Sequence, residues 1–238
     1  MKKHLIALTI ISVSVPAFCQ WNINDIRKKV ETVTVKPLTE GEIANGLKEA
    51  LRIGSQNASR QLNAVDGFNR NSLVRIPFPP DAKMVADRLR QLGMGRKVDE
   101  FELIMNRAAE QAAKEAGQIF VNSISQMTIS DARNILNGPD NAATQFLQRT
   151  STSQLTNAFR PHIERALANT LATKYWTELT TYYNRLPGVR PVNTNLVNYT
   201  NERAISGMFV VVAAEELKIR KDPDARVTDI LRRVFGQK

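Results

Sequence analysis

VDEFELIMNRAAEQAAKEAGQIFVNSISQ, residues 98–126, decides the fold. Phe101, Ile104, Met105, Ala108, Ala112, Ile119, Phe120 and Ile124 recur at helical steps, which lays one broad apolar face along a helix. Its alanines and Gly117 let neighbouring helices approach closely, so the spacing predicts a long central helix with others packed around it. Glu102, Asn106 and Glu110 fall at successive four-residue steps beside Arg107, forming a polar stripe along the apolar face. If that stripe is buried, its members must satisfy one another or the loop at 66–75, because buried polar groups are hydrogen-bonded. Such a network marks either fold specificity or a ligand site. Asp66, Arg75, Glu102, Asn106, Arg107 and Glu110 are therefore the candidate binding residues.

Before the central helix, Thr39 and Glu42 have capping-box spacing, and Ile43, Leu47, Ala50, Leu51, Ala58 and Leu62 continue a helix to about Leu62. Gly41, Gly46 and Gly54 inside it weaken the helix locally, each by about 1 kcal/mol relative to alanine, unless another backbone packs closely there. A turn-rich loop, DGFNRN at 66–71, leads to LVRIPFPP at 73–80, whose prolines impose an extended path. A short helix follows over 81–92, stopped by Gly93 and Gly95.

Beyond the central helix, Ser130 and Asp131 cap a segment ending at Asn137 and Gly138, and Asp140 starts another that runs to Arg149. Ser151 with Gln154 opens a third, kinked by Pro161 and continuing to about Leu171. Residues 174–186 place Tyr175, Trp176, Leu179, Tyr182, Tyr183 and Leu186 at helical spacing. The helix over 201–220 is the most apolar, and its uncharged run, 204–214, is too short to span a bilayer. Asp222 and Pro223 open a last helix with Val227, Ile230, Leu231, Val234 and Phe235 inward. The chain reads as all-α, a single bundle of about eight helices over 38–238, with a leader at 20–37.

Residues 1–19 read as a cleaved export signal: Lys2 and Lys3 precede an apolar stretch at 5–15, and Ala17 and Cys19 are the small residues before a cut ahead of Gln20. A rival reading lipidates Cys19, which the bulk of Phe18 disfavours. The expected location is the periplasm or cell envelope. The 238-residue chain carries net charge +10, and loss of Lys2 and Lys3 leaves +8 and no cysteine. One cysteine and two histidines exclude a closed zinc site, an iron–sulfur cluster and a disulfide framework.

No nucleophile elbow, metalloprotease motif, phosphate loop or EF-hand spacing is present. No catalytic residue, metal ligand or cofactor is assigned. His162 and Glu164 form an HxE pair without the cysteines a zinc deaminase needs. Glu100, Glu102, Glu110 and Glu115, interleaved with Arg107 and Lys114, suit a solvated helix face better than a glycosidase pair. Basic residues gather at Arg27, Lys28 and Lys29 and at Lys218, Arg220, Lys221, Arg226, Arg232, Arg233 and Lys238. That charge fits general solubility or an anionic membrane surface, and nucleic acid is disfavoured because no recognition motif accompanies it.

GLKEA at 46–50, DGF at 66–68, VRIP at 74–77, DEFELIMNRAAE at 99–110, QMTISDA at 126–132, AATQF at 142–146 and the helix over 207–216 resemble a bacterial family called domain of unknown function 4197. The resemblance implies exported, mainly helical proteins and supplies no activity, cofactor or catalytic residue. The function expected is a non-enzymatic envelope module that binds a partner protein or apolar ligand. The alternative is a hydrolase of an envelope polymer using Glu102 or Glu110.

Overall fold

The computed structural model describes residues 37–168 and 195–236 and, between them, 173, 176, 177, 180, 181, 184, 185, 187, 188 and 191. The signal, residues 20–36 of the leader and the aromatic residues of 174–186 other than Trp176 lie outside the described residues. Among these, the chain forms eight α-helices and no strand: α1 (Glu40–Asn63), α2 (Lys83–Gln91), α3 (Gly95–Ala113), α4 (Ala116–Ser125), α5 (Ile129–Asn137), α6 (Ala142–Ala168), α7 (Leu196–Lys221) and α8 (Asp229–Phe235). The all-α expectation holds. α6 packs against α7 and α3, and α1 against α7, α4 and α5, around one continuous apolar core.

α1 starts at the expected capping box: Glu42 donates its amide to Thr39 and its carboxylate accepts the Thr39 amide. Two of its three glycines, Gly46 and Gly54, face close neighbours, whereas Gly41 has nothing within 4 Å of a Cβ. A Cβ on Gly46 would lie 2.6 Å from Val234 of α8, and one on Gly54 would lie 3.5 Å from Glu215 of α7.

The single long central helix is divided at Lys114 and Glu115 into α3 and α4. Ser59 of α1 donates its hydroxyl to the Ala113 carbonyl at 2.8 Å, and the Glu115 amide turns back to Ala112 at 3.0 Å. The Ala113 carbonyl thus takes a side-chain donor at the end of its helix. Both pieces carry the same apolar period, so the break is invisible in the pattern.

The opposite correction applies to α6, where two expected helices are one. Thr150, Ser151, Thr152 and Thr156 donate their hydroxyls to carbonyls four residues earlier in the same helix, so the run does not cap a new one. The helix continues through Pro161. The N-cap of α5 is Thr128, paired with Asp131, rather than Ser130.

At the carboxyl end, Asp222 and Pro223 open only a short 3-10 turn, and Thr228 caps α8. Val227, expected inward, is 60% exposed. Arg226 ends α7 by donating to the carbonyls of Ile219 and Arg220, at 3.1 and 2.9 Å.

Candidate functional site

The loop between α1 and α2 turns sharply at Asp66, which holds a left-handed backbone with φ of 67°. Gly67 follows because nothing larger fits: a Cβ there would sit 2.4 Å from the Gln61 carbonyl oxygen. Phe68 is then driven fully into the core against Gly207 of α7. Val74 and Ile76 are also buried, and Phe78 joins Phe101 and Trp176 in an aromatic cluster with ring centroids 5.2 to 6.1 Å apart. Apolar anchors therefore pull an irregular backbone onto α3, which requires partners for its peptide groups.

The polar stripe of α3 supplies those partners, and the six candidate residues form two hydrogen-bonded groups along it, Asp66 with Arg107 and Glu110, and Arg75 with Glu102 and Asn106. Glu110 accepts the amides of Phe68 and Asn69 on Oε1, both at 3.1 Å, and Arg107 at 2.6 Å on Oε2. Arg107 also donates to Asp66 at 2.8 Å. Asn106 is wholly buried: its Oδ1 accepts the Ile76 amide at 2.9 Å, and its Nδ2 donates to the carbonyls of Ile76 and Glu102. Glu102 accepts the Phe78 amide on Oε1 and Arg75 on Oε2, the latter at 2.7 Å.

The electrostatics follow from these contacts. A hydrogen bond from Asn69, with further help from Arg107 and Arg70, holds the Asp66 carboxyl below the ordinary aspartate range. Glu110 and then Asp66 raise Arg107 above the usual arginine value. Each carboxylate oxygen of Glu102 and Glu110 already serves as an acceptor. The arrangement fastens the loop backbone to α3.

What the loop presents outward differs from what it buries. An open bowl on its outer side is lined by Gln61, Val65, Asp66, Arg70, Asn71 and Leu73, among others, so only Asp66 of the six network residues reaches it. Val65 and Leu73 are 80% and 75% exposed there.

A second buried network was not foreseen. Glu216 of α7 accepts the Ala143 and Thr144 amides and the Thr144 hydroxyl at the start of α6, and pairs with Arg220. Beside it, Glu215 takes Asn57 and Lys218. The only sequence signal is two carboxylates at the end of an apolar helix, near the AATQF and 207–216 motifs.

His162 lies 3.2 Å from Glu115 at the α3–α4 break. Among the described residues no cluster of three metal-ligating side chains occurs. In the basic carboxyl-terminal group, Lys218, Arg220, Lys221, Arg226, Arg232 and Arg233 each have an ion-pair or carbonyl partner. The apolar space lined by Leu47, Leu51, Val212, Ile219 and Phe235 amounts to about 20 Å³, room for one water and not for a lipid.

No curated protein and no solved structure matches the chain. A family model described as protein of unknown function (DUF4197) matches residues 37–236, from the foot of α1 to the end of α8. The match takes in both buried networks and the loop between α1 and α2, and the chain belongs to this family.

Proposed function

We propose that the chain is an exported, non-enzymatic interaction module of the cell envelope that docks a protein partner on the loop at 64–75. The observation that carries this reading is the division of labour in the loop. Asp66, Arg75, Glu102, Asn106, Arg107 and Glu110 hold its backbone rigid, while Val65 and Leu73 project into solvent beside Arg70. Ordering the loop before binding removes an entropic cost from association, and exposed aliphatic side chains on a fixed backbone are suited to a partner's pocket. The left-handed Asp66 adds local strain of the kind that gathers at functional loops. The charged start, apolar stretch and small residues of 1–19 support export.

The occupied carboxylates of α3 favour binding over hydrolysis. The test places a photocrosslinking residue at Leu73 in the intact native envelope, with Met84 on α2 as an exposed control. A discrete adduct at Leu73, absent at Met84 and lost in a folded Val65→Asp variant, is expected. Equal labelling at both positions overturns the docking assignment. Release of soluble fragments from envelope polymer, abolished in a folded Glu102→Gln variant, would restore the hydrolase. Terminal sequencing should find Gln20 first, and a lipid-bearing Cys19 would refute cleavage after it.

A further inference from the structure

The loop at 64–75 distributes its charge unevenly. Between residues 56 and 80 Asp66 is the one acid, against Arg60, Arg70 and Arg75. The carboxylates that hold the loop are turned inward: the side chains of Glu110 and Asp66 are 5% and 26% exposed, whereas those of Arg107 and Arg70 are 36% and 82% exposed. What faces solvent is therefore guanidinium, and the acids that balance it are engaged beneath.

Arg70 is the member with capacity left. Its Nε stands 3.3 Å from Oδ2 of Asp66, while Oδ1 of that carboxylate takes Asn69 at 3.0 Å and Arg107 at 2.8 Å. Among the described residues neither terminal nitrogen of Arg70 donates a hydrogen bond. Arg75 and Arg107 already hold Glu102 and Glu110, at 2.7 and 2.6 Å. The Arg70 amide donates to the Asp66 carbonyl and the Asn71 amide to the Phe68 carbonyl, both at 3.2 Å, so the Arg70 side chain rises from a fixed backbone. A guanidinium presents its donors as a planar fork that meets a carboxylate in two parallel bonds, and anchoring one edge lowers the cost of ordering the other. Val65 and Leu73 line the same bowl as Arg70.

The geometry points to an acidic protein segment as the partner at this loop. One carboxylate, from Asp, Glu or a chain terminus, sits on the terminal nitrogens of Arg70, and the apolar surface flanking it receives Val65 and Leu73. This rests on the docking of a protein partner at 64–75 and adds the chemistry that selects it. A concave wall carrying one unengaged guanidinium suits a single carboxylate on a protein segment better than the flat, repeated charge of a bilayer.

A photocrosslinking residue at exposed Ser72, which leaves Val65, Arg70 and Leu73 in place, tests it on the full chain in the native envelope. Sequencing of the adduct by mass spectrometry should find Asp, Glu or a carboxyl terminus within about four residues of the attachment point. Arg70→Gln should lower the adduct yield about tenfold, and Arg70→Lys, which keeps the charge and loses the fork, severalfold. Circular dichroism and exchange protection of the Phe68 amide should stay unchanged in both. Arg70→Glu should abolish the adduct, and replacing the partner's carboxylate by lysine should bring it back. A discrete adduct undiminished by Arg70→Gln, a crosslinked segment without a carboxylate, or failure of the charge exchange overturns the acidic partner while the docking reading stands. Adducts to lipid alone, or no discrete adduct at Ser72 and Leu73, overturn both.

Discussion

Asn106→Ala isolates the element that decides whether the loop stays on α3. The side chain is wholly buried and completes the amide and the carbonyl of Ile76, itself fully buried, as well as the carbonyl of Glu102. Alanine offers neither donor nor acceptor and leaves no route for water. Two stranded backbone groups at about 1–3 kcal/mol each predict a loss of about 2–6 kcal/mol. That is a large share of the roughly 5–15 kcal/mol that stabilises a domain. Urea unfolding should show the midpoint falling by about 1–3 M, for a slope of roughly 2–3 kcal/mol/M. Hydrogen exchange separates local from global effects: the Ile76 amide should lose protection beyond what global destabilisation explains, while the Phe68 amide, held by Glu110, should not. Asn106→Asp should be comparably damaging, because it keeps an acceptor for the Ile76 amide but sets a charge against two carbonyls. An Asn106→Ala variant within about 0.5 kcal/mol of the parent, the range of an ordinary surface change, would refute the reasoning.

Glu216→Ala strands Arg220 and the first amides of α6, so thermal unfolding should drop by about 10 °C, from roughly 3–5 kcal/mol for a broken buried pair. Gly67→Ala forces a Cβ into the Gln61 carbonyl and should cost about 3 kcal/mol in chemical denaturation, whereas Gly41→Ala, with nothing within 4 Å, should be neutral or slightly stabilising. The pH dependence follows from the lowered carboxyls of Asp66 and Asp131, held down first by Asn69 and by Thr128 respectively. The unfolded chain binds their protons at higher pH than the folded chain, so stability is complete above about pH 4 and falls as the medium is acidified below it. Acid titration of unfolding should show that sign, with Asp66→Asn flattening it. Stability that rises into acid would contradict it.

The candidate site was legible because its grammar is local. A four-residue polar period beside an apolar face can be read from Glu102, Asn106, Arg107 and Glu110, and the prolines at 77, 79 and 80 announce a backbone in need of partners. Its role was not legible. A buried stripe can bind a ligand or a loop, and only the positions of Phe68, Ile76 and Phe78 show that this one holds peptide groups of its own chain. Glu216 escaped because its partners lie 72 and 73 residues away, at the start of another helix.

By itself, then, the sequence determined that the chain is helical, where the first helix begins and which polar residues share a face, since all of these follow from steps of three and four residues. The tertiary structure alone decided where a continuous pattern breaks and where an interrupted one continues. Ser59 reaches across from α1 to end α3, and the hydroxyls of α6 turn inward to their own helix. Each of those outcomes depends on which donor a carbonyl meets in space, and chain order does not contain that information.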